Sequence, residues 1–183
     1  VEVEGILAFG AEKVNTFALG KEDTILQSQY IGDLKNWETF SFYTESLDRF
    51  RHLFRFTPSL LVCDMHPDYL SSQEAERIAA RTGLPLLKIQ HHHAHAAACM
   101  LEYGLHEKVV AIVLDGTGLG DDGKVWGGEF FLCDRKEYRR LSHFEYVPLP
   151  GGDKAAVEPW RMTVAYLWHY WGDSARFPES FPE

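Results

Sequence analysis

Leu84-Pro85-Leu86-Leu87-Lys88-Ile89-Gln90-His91-His92-His93-Ala94-His95 joins an apolar, strand-sized run to the start of a helix. Four of the chain's nine histidines fall at that junction, between His91 and His95. The run Ala96-Ala97-Ala98 that follows is helix-forming. On a helix, His91 and His95 sit one turn apart and project from the same face. Two imidazoles at that separation can hold one metal ion. The plain alternative is a hydrophilic helix start that binds metal only by accident. A strand that delivers clustered histidines to a helix N-terminus favours the functional reading.

Outward from this junction, strand and helix periods alternate. Residues 5–11, 15–20 and 24–30 are three short β-type runs separated by Gly/Lys/Asp turns, and they read as a meander. Phe40, Tyr43, Leu47, Phe50 and Phe54 recur at spacings of 3, 4, 3 and 4, an amphipathic helix of about four turns. Asn36 is its expected N-cap and Pro58 its expected stop. Residues 59–64 form a buried-strand run, followed by the loop Met65-His66-Pro67-Asp68-Tyr69-Leu70. Ser71-x-x-Glu74 then reads as a capping box, opening a helix that closes at Gly83. The strand at 84–89 and the histidine helix, running to Gly104, complete the order βββαβαβα.

The order then restarts. Residues 109–114, 125–133 and 140–147 are strands, and a helix runs from Pro159 to Trp171 with proline at its start. The expected organisation is a first lobe over residues 1–107 and the truncated start of a second βββα series over 108–183. A duplicated βββαβαβα unit is the pattern of the α/β actin-like ATPase fold, in which hairpin turns hold a nucleotide's phosphates. Likeness at that level says little about the reaction. The chain begins without Met in front of a strand, and Phe177-Pro178-Glu179-Ser180-Phe181-Pro182-Glu183 follows its last helix. It is therefore expected to be part of a larger polypeptide.

Composition narrows the class. The formal net charge of −9 argues against broad nucleic-acid binding, which needs a basic face. No apolar run is long enough to span a bilayer, and the acidic start lacks a signal-peptide core. Cys63, Cys99 and Cys133 sit singly in apolar segments, as in proteins of a reducing compartment, so a cytoplasmic location is expected.

Asp115-Gly116-Thr117-Gly118-Leu119-Gly120 carries the second chemical signal. Glycines let backbone N–H groups surround an anion such as phosphate, and Asp115, ending a buried strand, suits a metal. No GK[ST] follows, so the stretch is not a Walker A loop; an ordinary Asp-Gly hairpin is the competing reading. Glu129 in Trp126-Gly127-Gly128-Glu129 is either catalytic or a hydrogen-bonded structural group. Lys13, beside Gly10, reads as a turn lysine more readily than as a phosphate ligand. His66 reads as an ordinary loop histidine.

Together, Gln90-His91-His92-His93-Ala94-His95, Cys63-Asp64-Met65-His66-Pro67-Asp68-Tyr69, Asp115-Gly116-Thr117-Gly118-Leu119-Gly120, Trp126-Gly127-Gly128-Glu129-Phe130, Leu149-Pro150-Gly151-Gly152-Asp153 and Glu158-Pro159-Trp160-Arg161-Met162 resemble the HypF carbamoyltransferase family. The likeness is to its C-terminal domain, which is related to the tRNA threonylcarbamoyl-transfer ATPases, and it covers nearly the whole chain. It implies maturation of nickel–iron hydrogenases. Carbamoyl phosphate and ATP form carbamoyl-adenylate, and the carbamoyl group passes to the C-terminal cysteine of a partner, HypE, to become the cyanide ligands of the active-site iron. It further implies that His91, His95 and Asp115 hold a divalent metal, iron or zinc, with a last ligand from sequence beyond Glu183. Asp115 and His92 are assigned to the reacting groups. Gly116, Thr117, Gly118 and Gly120 are assigned to ATP or carbamoyl-adenylate, with magnesium as a companion ion. The acylphosphatase-like, zinc-finger and adenylate-forming domains of the family are expected elsewhere in the polypeptide. An O-carbamoyltransferase acting on a small alcohol, or a noncatalytic docking half-domain, are the competing functions.

Overall fold

The computed structural model describes residues 2–172, and the stretch Phe177–Glu183 lies outside them. Its elements run β1 (Ile6–Ala8), β2 (Ala18–Lys21), β3 (Thr24–Gln27), α1 (Trp37–Leu53), β4 (Leu60–Asp64), α2 (Leu70–Thr82), β5 (Leu86–Ile89) and α3 (His91–Glu102). The second series is β6 (Val109–Leu119), β7 (Val125–Cys133), β8 (Tyr138–His143), α4 (Lys154–Val157) and α5 (Pro159–Trp171). The chain divides by its contacts into a unit ending at Ala94 and one starting at His95. That division falls inside the continuous helix α3 (His91–Glu102).

The first unit is built on a five-stranded sheet of order β3-β2-β1-β4-β5. β1 is antiparallel to β2 and parallel to β4, and β4 is parallel to β5. Helix α1 lies on this sheet through its aromatic stripe. Tyr43 and Leu47 are buried beside Leu7, Phe9, Phe17, Leu19 and Leu61, with Phe40, Phe50 and Phe54 packed on the margin. Each fully buried apolar side chain contributes about 1.5–3 kcal/mol. Phe17 meets Phe50 edge-on at 5.1 Å between centroids. The Tyr43 hydroxyl donates to the Phe9 carbonyl at 2.9 Å, so the one polar atom of the stripe is satisfied in the core.

Asn36 caps α1 as expected, its side chain accepting from Thr39 N at 3.0 Å. The C-terminus is set earlier than Pro58. Arg55 takes φ 48°, and the Phe56 and Arg55 N–H groups close back on the Arg51 and His52 carbonyls at 2.8 and 3.1 Å. That is a Schellman pair with arginine in the left-handed position usually held by glycine.

The expected capping box at α2 does not form. The helix starts at Leu70 and its N-cap, Tyr69, makes no side-chain cap bond. The Ser71 hydroxyl donates instead to the Gly10 carbonyl at 3.1 Å, and Glu74 takes a bidentate bond from Arg77. The cap comes from 58 residues away: Glu12 accepts from Leu70 N at 2.7 Å. Its carboxylate faces the positive end of the helix dipole. Burial pushes the Glu12 carboxyl up, and the Leu70 N–H and Lys35 pull the other way. The Gly10-Ala11-Glu12-Lys13 turn thus presents a carboxylate to a helix.

The second unit carries the antiparallel sheet β6-β7-β8. Its core gathers Ala96 and Met100 of α3 with Val113, Trp126, Phe131 and Cys133. Proline stands at the start of α5, as expected. Cys63, Cys99 and Cys133 are free thiols. Among the described residues, no helix is long and apolar enough to cross a membrane.

Glu12→Ala leaves a partly buried helix start without its acceptor. It is expected to destabilise the protein by about 1–3 kcal/mol, more than Ser71→Ala, as measured by urea unfolding at neutral pH.

Candidate metal site and adjoining cavity

The entry of α3 is built by Gln90, whose side-chain oxygen accepts from His93 N at 2.9 Å. Glutamine is not among the favoured N-caps, so the sequence carried no signal for this role. Gln90 is buried, and its amide nitrogen lies 3.4 Å from His92 Nδ1. His92, expected among the reacting groups, is fully buried, and His93 is buried beside it. His91 is partly exposed and His95 exposed.

His91 is held by a residue outside the expected site set. Asp64, the last residue of β4, accepts from His91 Nδ1 at 2.6 Å through Oδ2. Its other oxygen accepts from His66 N at 2.8 Å. The signal was present in the position of Asp64 at the C-terminal end of a parallel strand, the usual ligand side of such a sheet. His66 stacks flat on Tyr69 at 4.2 Å and takes the Asp68 N–H on Nδ1, so it shapes this loop.

Asp115 lies within β6, at a break in the β6–β7 ladder. Leu114 pairs with Gly128 and Gly118 with Trp126, so three residues, 115 to 117, stand against Gly127 alone. This is a bulge, which re-aims side chains locally. Gly116 N donates to Asp115 Oδ1 at 2.6 Å. His91, His95 and Asp115 each offer one ligand atom, and these atoms all lie within 4.8 Å of one another. Two imidazoles and a carboxylate form a donor set suited to zinc or ferrous iron.

The glycine-rich stretch is strand rather than the expected turn. β6 runs through it to Leu119, which pairs with Val125, and the turn falls at residues 121–124. Gly120 N closes it on the Lys124 carbonyl at 2.8 Å, and Gly123 N on Gly120 at 2.9 Å. Pairing with β7 resumes after the bulge, so the strand continues and Asp121-Asp122-Gly123 supplies the reversal. Gly120 has a packing reason: a Cβ there would fall on the Trp126 indole. At Gly127 a Cβ would come within 2.8 Å of the Asp115 carbonyl, so glycine permits the bulge to approach.

A cavity of about 670 Å³ opens beside the bulge in the second unit, lined by Asp115, Gly116, Gly127, Gly128 and Glu129 and by apolar groups such as Phe144 and Met162. That volume suits a small-molecule ligand. Of the residues expected to bind the nucleotide, Gly116 lines it; Thr117, Gly118 and Gly120 do not.

Glu129 is the buried brace of this wall. Its Oε1 accepts from Gly127 N and Gly128 N at 3.2 and 3.3 Å, and its Oε2 from Arg140 Nε at 2.6 Å. The guanidinium also stacks on Trp126 at 4.0 Å and donates to the Tyr146 hydroxyl at 2.9 Å. With every carboxylate contact directed at backbone or Arg140, the structural reading of Glu129 prevails. Asp122 closes the network, accepting from Tyr146 at 2.7 Å and Trp126 Nε1 at 2.9 Å. Desolvation works to raise its pKa, but bonds from Tyr146, Lys124 N and Trp126 and the Arg140 charge win, and it falls from 3.8 to about 2.

Comparison with known proteins agrees with this architecture. The fold is similar to that of YeaZ from Pseudomonas aeruginosa, with a TM-score of 0.54 over 76% of this chain and 65% of that one, at 14% identity. That likeness defines the class: an α/β protein of the actin-like, Kae1-like fold. Two family profiles then match, the HypF Kae1-like domain over residues 2–102 and the second subdomain of the carbamoyltransferase Kae1-like domain over residues 111–182. The chain belongs to the HypF carbamoyltransferase family. It is 42% identical over 177 residues to carbamoyltransferase HypF2 of Cupriavidus necator, covering 97% of this chain and 22% of that protein. It is 39% identical over 169 residues to carbamoyltransferase HypF of Synechocystis, covering 92% and 22%. A crystal structure of full-length HypF in a phosphate- and nucleotide-bound form superposes with a TM-score of 0.83 at 42% identity, over 92% of this chain and 22% of that one. The chain thus spans about a fifth of the length of these relatives.

Arg140→Met would leave the Glu129 charge buried and unpaired, and is expected to cost about 3–5 kcal/mol in chemical denaturation. Asp122 has a depressed folded pKa, so its contribution to stability is present above pH 3.8 and lost as pH falls towards about 2. Asp122→Asn should flatten the stability profile across that window.

Proposed function

We propose that this chain is the transfer domain of a HypF-type carbamoyltransferase. In this reading the whole protein uses carbamoyl phosphate and ATP, through carbamoyl-adenylate, to carbamoylate the C-terminal cysteine of HypE for the cyanide ligands of nickel–iron hydrogenase. The observation that carries it is the grouping of His91, His95 and Asp115 within 4.8 Å, in a chain 42% identical to a HypF solved with phosphate and nucleotide bound. The acylphosphatase-like, zinc-finger and adenylate-forming domains would belong to the remaining length of the polypeptide.

His91, His95 and Asp115 would hold a divalent cation, zinc or iron. Such a cation supplies Lewis acidity for the carbonyl of a carbamoyl-adenylate and affinity for its phosphate oxygens. The protein's own groups do the rest. The bulge at Asp115 turns a carboxylate and the neighbouring Gly116 towards a cavity, and the glycine pair at 127–128 lets the Asp115 carbonyl and the Phe144 ring pack against the β7 backbone. Apolar groups such as Phe144 and Met162 line the cavity and would limit the access of water to a labile mixed anhydride. Burial pushes the Cys63 and Cys133 thiols up, away from thiolate character. A nucleophilic sulfur supplied by the partner fits that chemistry.

In the full-length protein, His95→Ala is expected to lower carbamoylation of the HypE cysteine by at least about 100-fold, beyond the loss typical of a group behind a metal ligand. Mass spectrometry of the partner's C-terminal peptide reads the result. Transfer at the unmodified rate would overturn the site.

A further inference from the structure

We infer that Asp64 is a positioning residue that sets the tautomer and direction of His91 and so presents His91 Nε2 to the cation; the inference rests on the metal site proposed above. Four observations, all within the first unit, carry it. Asp64 Oδ2 accepts from His91 Nδ1 at 2.6 Å. Asp64 Oδ1 accepts from His66 N at 2.8 Å, so both carboxylate oxygens are committed and the group cannot swing. The Asp64 side chain is only 7% exposed, and a buried charge of this kind is kept where its bonds are satisfied. The backbone beneath it is pinned as well: the Ser72 hydroxyl donates to the Asp64 carbonyl at 2.9 Å, and Met65 N to the Ile89 carbonyl at 3.0 Å.

The geometry follows from the sheet. Asp64 and Ile89 are register partners in the parallel β4–β5 ladder, and His91 opens α3 two residues after Ile89. A carboxylate at the end of β4 therefore meets the first side chain of the helix that β5 feeds. An acceptor on Nδ1 keeps the proton there and leaves the lone pair on Nε2, and it raises the basicity of the ring. His95 stands on the same helix face one turn on. Asp64 thus shapes one of the two imidazoles.

The test uses full-length protein and cobalt(II) as the probe, with affinity read by chelator competition and site geometry by the cobalt absorption bands. Asp64→Ala is expected to weaken cobalt binding by about 10–100-fold and to alter the absorption bands. Asp64→Asn, which preserves volume and can still accept through its amide oxygen, should fall between this variant and the parent. It also decides the matter if the alanine variant does not fold. Cobalt affinity and bands unchanged in folded Asp64→Asn and Asp64→Ala would overturn the inference, even with a lowered melting temperature. His91→Ala is the separate control: if it keeps parental affinity, the metal site itself fails. If it loses the metal while the Asp64 variants do not, only the role of Asp64 fails.

Discussion

Asp64 faces Ile89 across the parallel ladder between β4 and β5, and Met65 N–H closes that ladder on the Ile89 carbonyl at 3.0 Å. A one-residue slip would turn the buried Leu61 and Cys63 of β4 off the core face, because every side chain would change face. The start of α3 is thereby fixed relative to the end of β4. His91 emerges beside a carboxylate, and His95 follows from helical geometry one turn later.

The second unit solves a different problem, how to bend a strand beside a cavity without losing its pairing. The bulge at residues 115–117 does this, and Gly127 opposite it has no Cβ to obstruct the Asp115 carbonyl. Glu129 then ties down the Gly127 and Gly128 N–H groups, and Arg140 neutralises the carboxylate. Buried ion pairs are costly to assemble and costlier to break. One bought with backbone bonds as well, as here, makes the wall of the cavity rigid.

Much of the fold was legible because periodicity and end signals act locally. The 3, 4, 3, 4 spacing from Phe40 to Phe54 found α1, Asn36 its start, and Pro159 the start of α5. Where reading by local rules failed, a distant partner had taken over. Ser71-x-x-Glu74 has the letters of a capping box, yet Gly10 draws off Ser71, Arg77 holds Glu74, and Glu12 supplies the cap. The run from Asp115 to Gly120 has the composition of a loop, yet β7 draws it into a strand. Glycine content signals that the backbone must come close to something; it does not say whether that is a phosphate, an indole or a neighbouring carbonyl.

By itself the sequence determined the element order, the aromatic face of α1, the HxxxH spacing on one helix and the family to which these motifs belong. These depend on spacing along the chain, which helix and strand geometry convert directly into faces. Only the tertiary structure decided that Asp64 holds His91, that Glu12 caps α2, that Gln90 starts α3 and that Glu129 braces the cavity wall. Each of those contacts is set by strand register, by a bulge or by the entry of a helix, where residues far apart in sequence or of unpromising type become hydrogen-bonding partners.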